Sequence, residues 1–470
     1  MTDRYDAWAM ARSAGSPRQA SPGREPSFRI PRLGPAKRQS PLPVTSERSF
    51  VDETERLFVD PHVESVRRIF AAGDEPPSFE VAGPRARIFF DPAKVRVAIV
   101  TCGGLSPGIN DVIRALVLQL WYRYGVRHLF GVRYGYQGLD AEQPSIEGLR
   151  PEDVGNIHEQ GGTILGTSRG TPPTEELVDT LAAWRIDILF TIGGDGTMRG
   201  AHALCQEIRR RKLEIAVVGL PKTIDNDIPY VRRSFGFETA VMLASQALRS
   251  AHTEASSIRC GIGLVKLMGR HSGYIAANAT LATGHTNFCL IPEVPFRLEG
   301  SDGLLGLLER RLQDRHHALI VIAEGAGQDY FRNADLGRDA SGNRQLGDVG
   351  PYLKNRLVRH FAGLEMTVGL KYIDPSYLIR SAPANPSDSL FCARLAHNAV
   401  HAAMAGKTGM LIGYWHGRMT HVPFEALENR TKTIDPQGEL WRNVLGTTGQ
   451  PARIGNVEAS TSEVSADQHE

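Results

Sequence analysis

Several features are missing from this sequence, and each absence removes a class of protein. No apolar run approaches the roughly 18 residues of a membrane span, and no charged-then-apolar leader opens the chain. Cysteine is scarce: Cys102, Cys205, Cys260, Cys289 and Cys392 stand far apart, odd in number and without a CxxC pair. That pattern argues against a disulfide framework or a spaced zinc site and suits a reduced, cytoplasmic chain. An excess of one charge is missing too. The 54 Lys and Arg offset 52 Asp and Glu to a net +2, too little to argue for a nucleic-acid partner. No repeat of solenoid length is present.

Glycine is what the chain has in excess, 48 of 470 residues, against a usual share of about 7%. Residues 1–45 are rich in Arg, Ser and Pro without hydrophobic periodicity and read as disordered; residues 46–90 read as a partly ordered extension. Beyond them, short apolar runs alternate with helical patterns. VRVAIV (95–100), DILFTI (187–192), EIAVVGL (214–220), GIGLVKLM (261–268) and ALIVIAE (318–324) are continuous enough to be strands buried on both faces. Helix patterns cover 109–124, 199–212, 237–253 and 302–315. This rhythm predicts α/β units on mainly parallel sheets, with ligands at the carboxyl ends of the strands.

The ends of those strands are glycine-rich. VRVAIV runs into TCGGLSPGIN (101–110), and DILFTI runs into GGDGT (193–197). Glycine lets the backbone approach a ligand closely, and a helix N-terminus offers free N–H groups and a positive dipole end. A single Gly-Gly turn is more often a plain strand–helix connection. Two on one sheet make a cradle for a polyphosphate, with Gly103, Gly104, Gly194, Gly196 and Thr197 as its residues. GGTILGTSRG (161–170) brings Arg169 as a bidentate phosphate ligand. Asp195, inside the second turn, would repel phosphate unless a cation intervenes, which marks it as a Mg²⁺ ligand; a helix N-cap is the plainer alternative.

The turn VVGLPKTIDNDIP (217–229) carries two aspartates, Asp225 and Asp227, one residue apart. A carboxylate there can accept the proton of an attacking alcohol, Thr223 can hydrogen-bond the transferring group, and Lys222 can neutralise charge that builds during transfer. An Asx-turn, with the aspartates bonding local backbone, is the competing account.

Nine segments in one order, CGGLSPGIN, YGYQGL, GGTILGTSRG, GGDGT, PKTIDNDI, SFGFETA, KLMGRHSGYIA, AEGAGQ and LKYIDPSYLIR, resemble the 6-phosphofructokinases, from about residue 84 to about 426. GGDGT alone would be weak, because NAD and lipid kinases carry it too. The resemblance implies two Rossmann-like α/β/α domains with mainly parallel sheets and the active site in the cleft between them. It implies a nucleotide-binding domain at 91–237 plus 380–425 and a sugar-phosphate-binding domain at 238–379 plus 426–445. Residues 1–90 would be an extension and 446–470 a loose tail. The implied reaction moves the γ-phosphoryl of ATP, with Mg²⁺, to the 1-hydroxyl of fructose 6-phosphate, with Asp225 as general base and Asp227 supporting it. Met268, Gly269 and Arg270 match the sugar-contacting segment, Glu324 matches a carboxylate for sugar hydroxyls, and Arg380 matches a 6-phosphate arginine. Tyr377 stands where bacterial relatives usually carry His, and Lys371 sits near a family phosphate-binding arginine, with a different side chain. The resemblance further implies a homo-oligomer, commonly a tetramer.

Phosphoryl donors differ within the family. Pyrophosphate users typically carry Asp at the second Gly of GGDG and Lys before the Thr of TIDND. This chain has Gly196 and Lys222, so the two markers disagree. Gly196 is the deciding one, because an Asp there would crowd and repel the α-phosphate end of ATP. The combination resembles the ATP-dependent plant and protist subgroup. The alternatives are a pyrophosphate-dependent enzyme and a non-catalytic regulatory member; the presence of Asp195, Thr223, Asp225, Asp227 and Arg270 argues against the second.

Overall fold

Strands covered on both faces have to be apolar along their whole length, and the five apolar runs are the centres of two sheets. The structure, a computed structural model, describes residues 27–455 except 47, 169, 171, 335, 339–343 and 429. The larger sheet has nine strands. In spatial order they are Arg56–Phe58, Ser78–Val81, Arg418–Pro423, Met410–Trp415, Ala216–Pro221, Ile188–Gly193, Arg96–Thr101, His128–Val132 and Ile146–Gly148. The five from Met410–Trp415 to His128–Val132 run parallel, and the strands at both edges are antiparallel. The smaller sheet is wholly parallel, in the order Phe288–Leu290, His317–Ala323, Gly261–Leu267 and Gly369–Ile373.

Helices fill both faces of each sheet, as βαβ connections require. Ile109–Leu118 and Pro386–Met404 pack on one face of the large sheet, and Thr174–Ala183 and Asp195–Arg210 belong to the apolar cluster of the other. Pro386–Met404 starts by the usual rules: proline opens it, and the Asn385 side chain caps it by accepting the Asp388 N–H at 2.8 Å. Phe237–Ser256 and Tyr274–Thr283 lie against the small sheet.

The described residues nearest the two ends, 27–90 and 446–455, are more integrated than their composition predicts, and residues 1–26 and 456–470 lie outside the described residues. Residues 27–45 fall in the stretch expected to be disordered. Yet Arg38–Gln39 pairs with Arg87–Ile88, Ile30 is buried, and the Pro31 carbonyl accepts the Thr408 N–H at 3.1 Å. Strands Arg56–Phe58 and Ser78–Val81, from the expected extension, complete the large sheet. A largely buried charge cluster joins these segments to the large sheet, beside the apolar anchors Ile30 and Phe79. Lys407, fully buried, donates to Glu80 at 2.5 Å and to Glu53 at 3.0 Å; Arg85 reaches Glu53 and Arg32 reaches both acids. Burial works against the charge on Glu80, but His421 and Lys407 hold its carboxyl well below the usual range. At the other end, helix Glu439–Thr448 buries Trp441 and Val444, Gln450 exchanges hydrogen bonds with the Cys289 backbone, and Ile454 is buried. Residues 446–455 therefore pack on the small-sheet domain.

Removing one partner of a buried ion pair leaves the other charge uncompensated, at a cost of about 3–5 kcal/mol. Lys407→Ala is expected to lower the unfolding free energy by about 3 kcal/mol, read as an earlier midpoint in urea melts.

Candidate functional site

Three adjacent parallel strands of the large sheet deliver three turns to one place. Arg96–Thr101 feeds residues 102–108, Ile188–Gly193 feeds Gly194 and Asp195, and Ala216–Pro221 feeds Lys222–Asp227. The helices after the first two turns, Ile109–Leu118 and Asp195–Arg210, start at Gly108 and Gly194 with no side chain capping them. Their first N–H groups are left to other acceptors. Gly103 sits at φ +82°, in the left-handed region, and its N–H donates to the Ser168 carbonyl at 3.1 Å. Lys222 crosses between the turns: its backbone N–H donates to the Gly193 carbonyl at 2.8 Å, and its ammonium donates to the Gly104 carbonyl. Thr197 is buried and its side chain fills the space beside Gly193. Arg169 lies outside the described residues.

Asp195 opens its helix half-exposed, in an ion pair with Arg199 at 3.2 Å. Burial pushes its carboxyl up; Arg199 and His271 pull it down, and Asp227 adds to the push. Gly196 has open space, since a Cβ there would meet nothing nearer than the Arg199 guanidinium at 4.0 Å. Packing does not demand glycine at that position.

The small sheet meets this cluster from the other side. Strands Gly261–Leu267 and His317–Ala323 end side by side, so Gly269–Arg270 and Glu324–Gly325 emerge together, and the Gly325 N–H donates to the Gly269 carbonyl at 3.0 Å. Gly269 is at φ +128°, and a Cβ there would lie 2.4 Å from the Ser272 carbonyl oxygen, so only glycine fits. Across the gap, the Arg270 N–H points at Asp225 Oδ2 at 3.5 Å, and the Ser272 hydroxyl donates to the Asp225 carbonyl at 2.9 Å. Arg270 also lines a cleft of about 530 Å³ with Glu293, Gly325 and Gln328.

Asp225 is where the two halves meet. Its Oδ1 is fully buried and has no hydrogen-bond partner among the described residues. Burial pushes the carboxyl up to about 8; Asp227 and Glu324 add to the rise, and Arg380 opposes it. The Thr223 hydroxyl bridges the pair, donating to Asp227 at 3.0 Å and accepting the Asp225 N–H at 3.1 Å. The turn is shaped by the Thr223 hydroxyl rather than by an Asx-turn: among the described residues no hydrogen bond joins either aspartate side chain to local backbone, and one Asp225 carboxylate oxygen is left uncommitted.

The structure brings together Gly103, Gly104, Gly194, Asp195, Gly196, Thr197, Lys222, Thr223, Asp225, Asp227, Gly269, Arg270, Glu324 and Arg380. Three expected substrate contacts stand apart. The Met268 side chain is fully buried in the small-sheet core, so it supports the turn by packing. Lys371 pairs in register with Gly263, well back from the strand ends, and its ammonium faces Glu254 at 3.6 Å. Tyr377 is 85% exposed on the short helix Ser376–Arg380.

Lys432 has no motif to flag it. It lies where the chain crosses from the large-sheet domain to the small. Its backbone N–H donates to the Asp227 carbonyl at 2.9 Å, and its ammonium donates to the Val231 carbonyl at 2.7 Å and sits 5.0 Å over the Tyr274 ring. Burial pulls Lys432 down to about 7, against the pull of Asp227. Two residues on, Glu293 accepts the Ile434 N–H at 2.8 Å and the Gly273 N–H at 3.0 Å. This segment ties the aspartate turn to the small-sheet domain.

The sequence pattern described as Phosphofructokinase matches residues 96–403. The chain belongs to the phosphofructokinase family. It is 50% identical over 444 residues, 91% of this chain and 98% of the relative, to the ATP-dependent 6-phosphofructokinase of Borreliella burgdorferi. It is 47% identical over 366 residues, 77% of this chain and 83% of the relative, to the enzyme of that name from Entamoeba histolytica. ATP-dependent 6-phosphofructokinase 7 of Arabidopsis thaliana is 48% identical over 384 residues, 81% of this chain and 79% of the relative. Among solved structures, the pyrophosphate-dependent phosphofructokinase of Marinobacter aquaeolei superposes with a TM-score of 0.63 at 20% identity, over 75% of this chain and 91% of that one. The Saccharomyces cerevisiae enzyme gives 0.63 at 20%, over 77% and 49%. These two likenesses establish the two-domain α/β phosphofructokinase fold.

The Asp225 carboxyl titrates near 8 in the folded chain against an ordinary 3.8. Keeping it ionised therefore costs stability progressively from about pH 4 upward and in full above about pH 8. Asp225→Asn removes that cost, so its melting temperature is expected to exceed that of the parent at pH 8.5 and to converge with it at pH 4; an unchanged difference would contradict the assignment. Lys432→Met is expected to lower kcat/KM about tenfold or more, roughly 1.4 kcal/mol of barrier, with the loss mainly in kcat, as steady-state kinetics would show.

Proposed function

We propose that this chain transfers the γ-phosphoryl of ATP to the 1-hydroxyl of fructose 6-phosphate, giving fructose 1,6-bisphosphate and ADP. The observation that carries the reading is Asp225: a half-buried residue whose Oδ1 is buried and without a partner among the described residues, set between a glycine-lined phosphate cradle and a cleft lined by Arg270. The names of relatives 45–50% identical to this chain support the same reaction.

The residues fit Mg²⁺. Asp195, Asp225 and Asp227 crowd their charges in a poorly solvated gap, an arrangement that a cation relieves. Among the described residues, no three acidic, His or Cys side chains form a complete metal cage. That suits an ion held by one or two carboxylates together with substrate phosphates. Asp195 would hold it, and its chemistry would be to neutralise the phosphates of the nucleotide.

The chain's own groups do the rest. Gly103, Gly104 and the uncapped helix ends receive the phosphates, with Arg169 and Lys222 countering the charge of the phosphoryl in transit. Asp225 accepts the proton of the sugar 1-hydroxyl at its free oxygen as that oxygen attacks the γ-phosphorus. A free carboxyl poised near 8 becomes a competent base at neutral pH once positive charge lowers it. Glu324 and Arg270 orient the sugar and Arg380 meets its 6-phosphate. The cradle and the domain of residues 91–237 plus 380–425 thus take the nucleotide, and the small-sheet domain takes the sugar.

ATP is the donor because Gly196 leaves open space that an Asp would close with negative charge. Lys222 is the one feature favouring pyrophosphate, and its ammonium is committed in part to the Gly104 carbonyl. No helix among the described residues is long and apolar enough to cross a membrane. We infer a cytoplasmic enzyme that assembles as a homo-oligomer; some plant relatives carry chloroplastic names.

Side-by-side assays with ATP and pyrophosphate, with fructose 6-phosphate as acceptor, test the donor: turnover with pyrophosphate and none with ATP would overturn it. Gly196→Asp is expected to depress the ATP reaction more than the pyrophosphate reaction. Asp225→Ser is expected to cut kcat by several orders of magnitude with nucleotide binding intact; a loss under about tenfold would contradict the base assignment. Arg270→Ala is expected to raise the KM for the sugar phosphate, and a raised KM for ATP alone would show the domains to be wrongly assigned.

A further inference from the structure

We propose that Lys266 is a positioning residue for the sugar phosphate: its ammonium fixes the helix that carries Arg380 against the strand that delivers Gly269 and Arg270. The inference rests on the roles given above to Arg270 and Arg380. Lys266 is the one charged residue of strand Gly261–Leu267, an interior strand of the small sheet that is otherwise apolar or glycine. A charge there is costly unless it is paired. It is paired twice, to Asp374 at 2.9 Å and to Asp348 at 2.9 Å. Burial works against the ammonium, but the two carboxylates outweigh it and keep it charged well above the usual lysine range.

The Asp374 pair stands where two substrate segments part. Val265 and Ile373 are the last residues in register between strands Gly261–Leu267 and Gly369–Ile373, so Lys266 and Asp374 come one step beyond the ladder. From there one segment runs through Leu267 and Met268 to Arg270, and the other turns at Pro375 into helix Ser376–Arg380. Both Asp374 oxygens are committed. Oδ2 faces Lys266, and Oδ1 accepts the Ser376 N–H at 3.1 Å and the Ser376 hydroxyl at 2.5 Å. The helix has five residues and buries only Ile379, so apolar packing fixes it at one point. The ion pair is its polar anchor. Arg380, at the far end of the helix, acts on the gap: its charge opposes the rise at Asp225.

Asp348 is a different kind of partner. Its side chain is 60% exposed, against 14% for Lys266. An ion pair with so exposed a carboxylate contributes little, so the Asp374 pair is the one that matters. A purely structural pair would stabilise the domain and leave both substrates equally served. A pair that sets the place of Arg380 acts on the sugar phosphate alone, and a misplacement of about 1 Å in a binding group can cost on the order of a hundredfold.

Steady-state kinetics on the full chain test this, with fructose 6-phosphate and ATP varied in turn. Lys266→Met keeps the stem and removes the charge. It is expected to raise the KM for fructose 6-phosphate about tenfold and to leave kcat and the KM for ATP within about twofold. Asp374→Asn should do the same and serves if the lysine variant folds poorly, while Asp348→Asn should stay within about twofold of the parent. In an Arg380→Met background, Lys266→Met should add less than about twofold, because it acts through Arg380. The inference is overturned if neither Lys266→Met nor Asp374→Asn raises the KM for the sugar phosphate, if both KM values rise together, or if the whole effect persists without Arg380. Arg380→Met alone separates this inference from the reading beneath it. If that variant leaves the KM unchanged, the role of Arg380 fails and this inference with it. If it raises the KM and Lys266→Met does not, only this inference fails.

Discussion

The structure turns on like charges forced together. The parallel strands of two sheets face each other by their carboxyl ends, and Asp195, Asp225, Asp227 and Glu324 line the gap. No stable fold gathers carboxylates this way for its own sake, since burial and mutual repulsion both oppose ionisation. Everything around the gap answers that repulsion: Arg199 beside Asp195, Arg380 toward Asp225, Lys432 beside Asp227, and uncapped helix ends on the nucleotide side. A cation and phosphates entering the gap would release that tension, and in the proposed reaction ligand binding and base activation would then be one event.

Much of this was legible in the sequence. Strand cores such as VRVAIV and DILFTI are apolar at every position, and that pattern has few other uses. The glycine turns were legible because the backbone there adopts conformations that other residues resist, as at Gly103. At Gly269 the requirement is visible as a collision that any Cβ would make. Thr223, Asp225 and Asp227 sit within five residues, so their mutual bonds follow from spacing alone.

What escaped depends on contacts distant in the chain. Lys432 meets Asp227 across 205 positions, and Lys407 meets Glu80 across 327; a single lysine among polar neighbours carries no local sign of either. Residues 27–45 were misjudged because Arg, Ser and Pro dominate the N-terminal stretch, while a few residues such as Ile30 do the anchoring; residues 1–26 of that stretch lie outside the described residues. Lys371 was misjudged for the opposite reason. Its place in a motif is right, but its strand register sets it back from the cleft, facing Glu254.

The family pattern matches from residue 96, yet the chain is already packed into the fold at Ile30. Strands Arg56–Phe58 and Ser78–Val81 cover the outer hydrogen-bonding row of Arg418–Pro423. A fragment begun at residue 96 and carried to the end of the chain would bare that row and leave the Lys407 ammonium without Glu53 and Glu80. Bare rows of this kind seek partners in other molecules, so such a fragment would come out of expression as aggregate, however complete its catalytic residues.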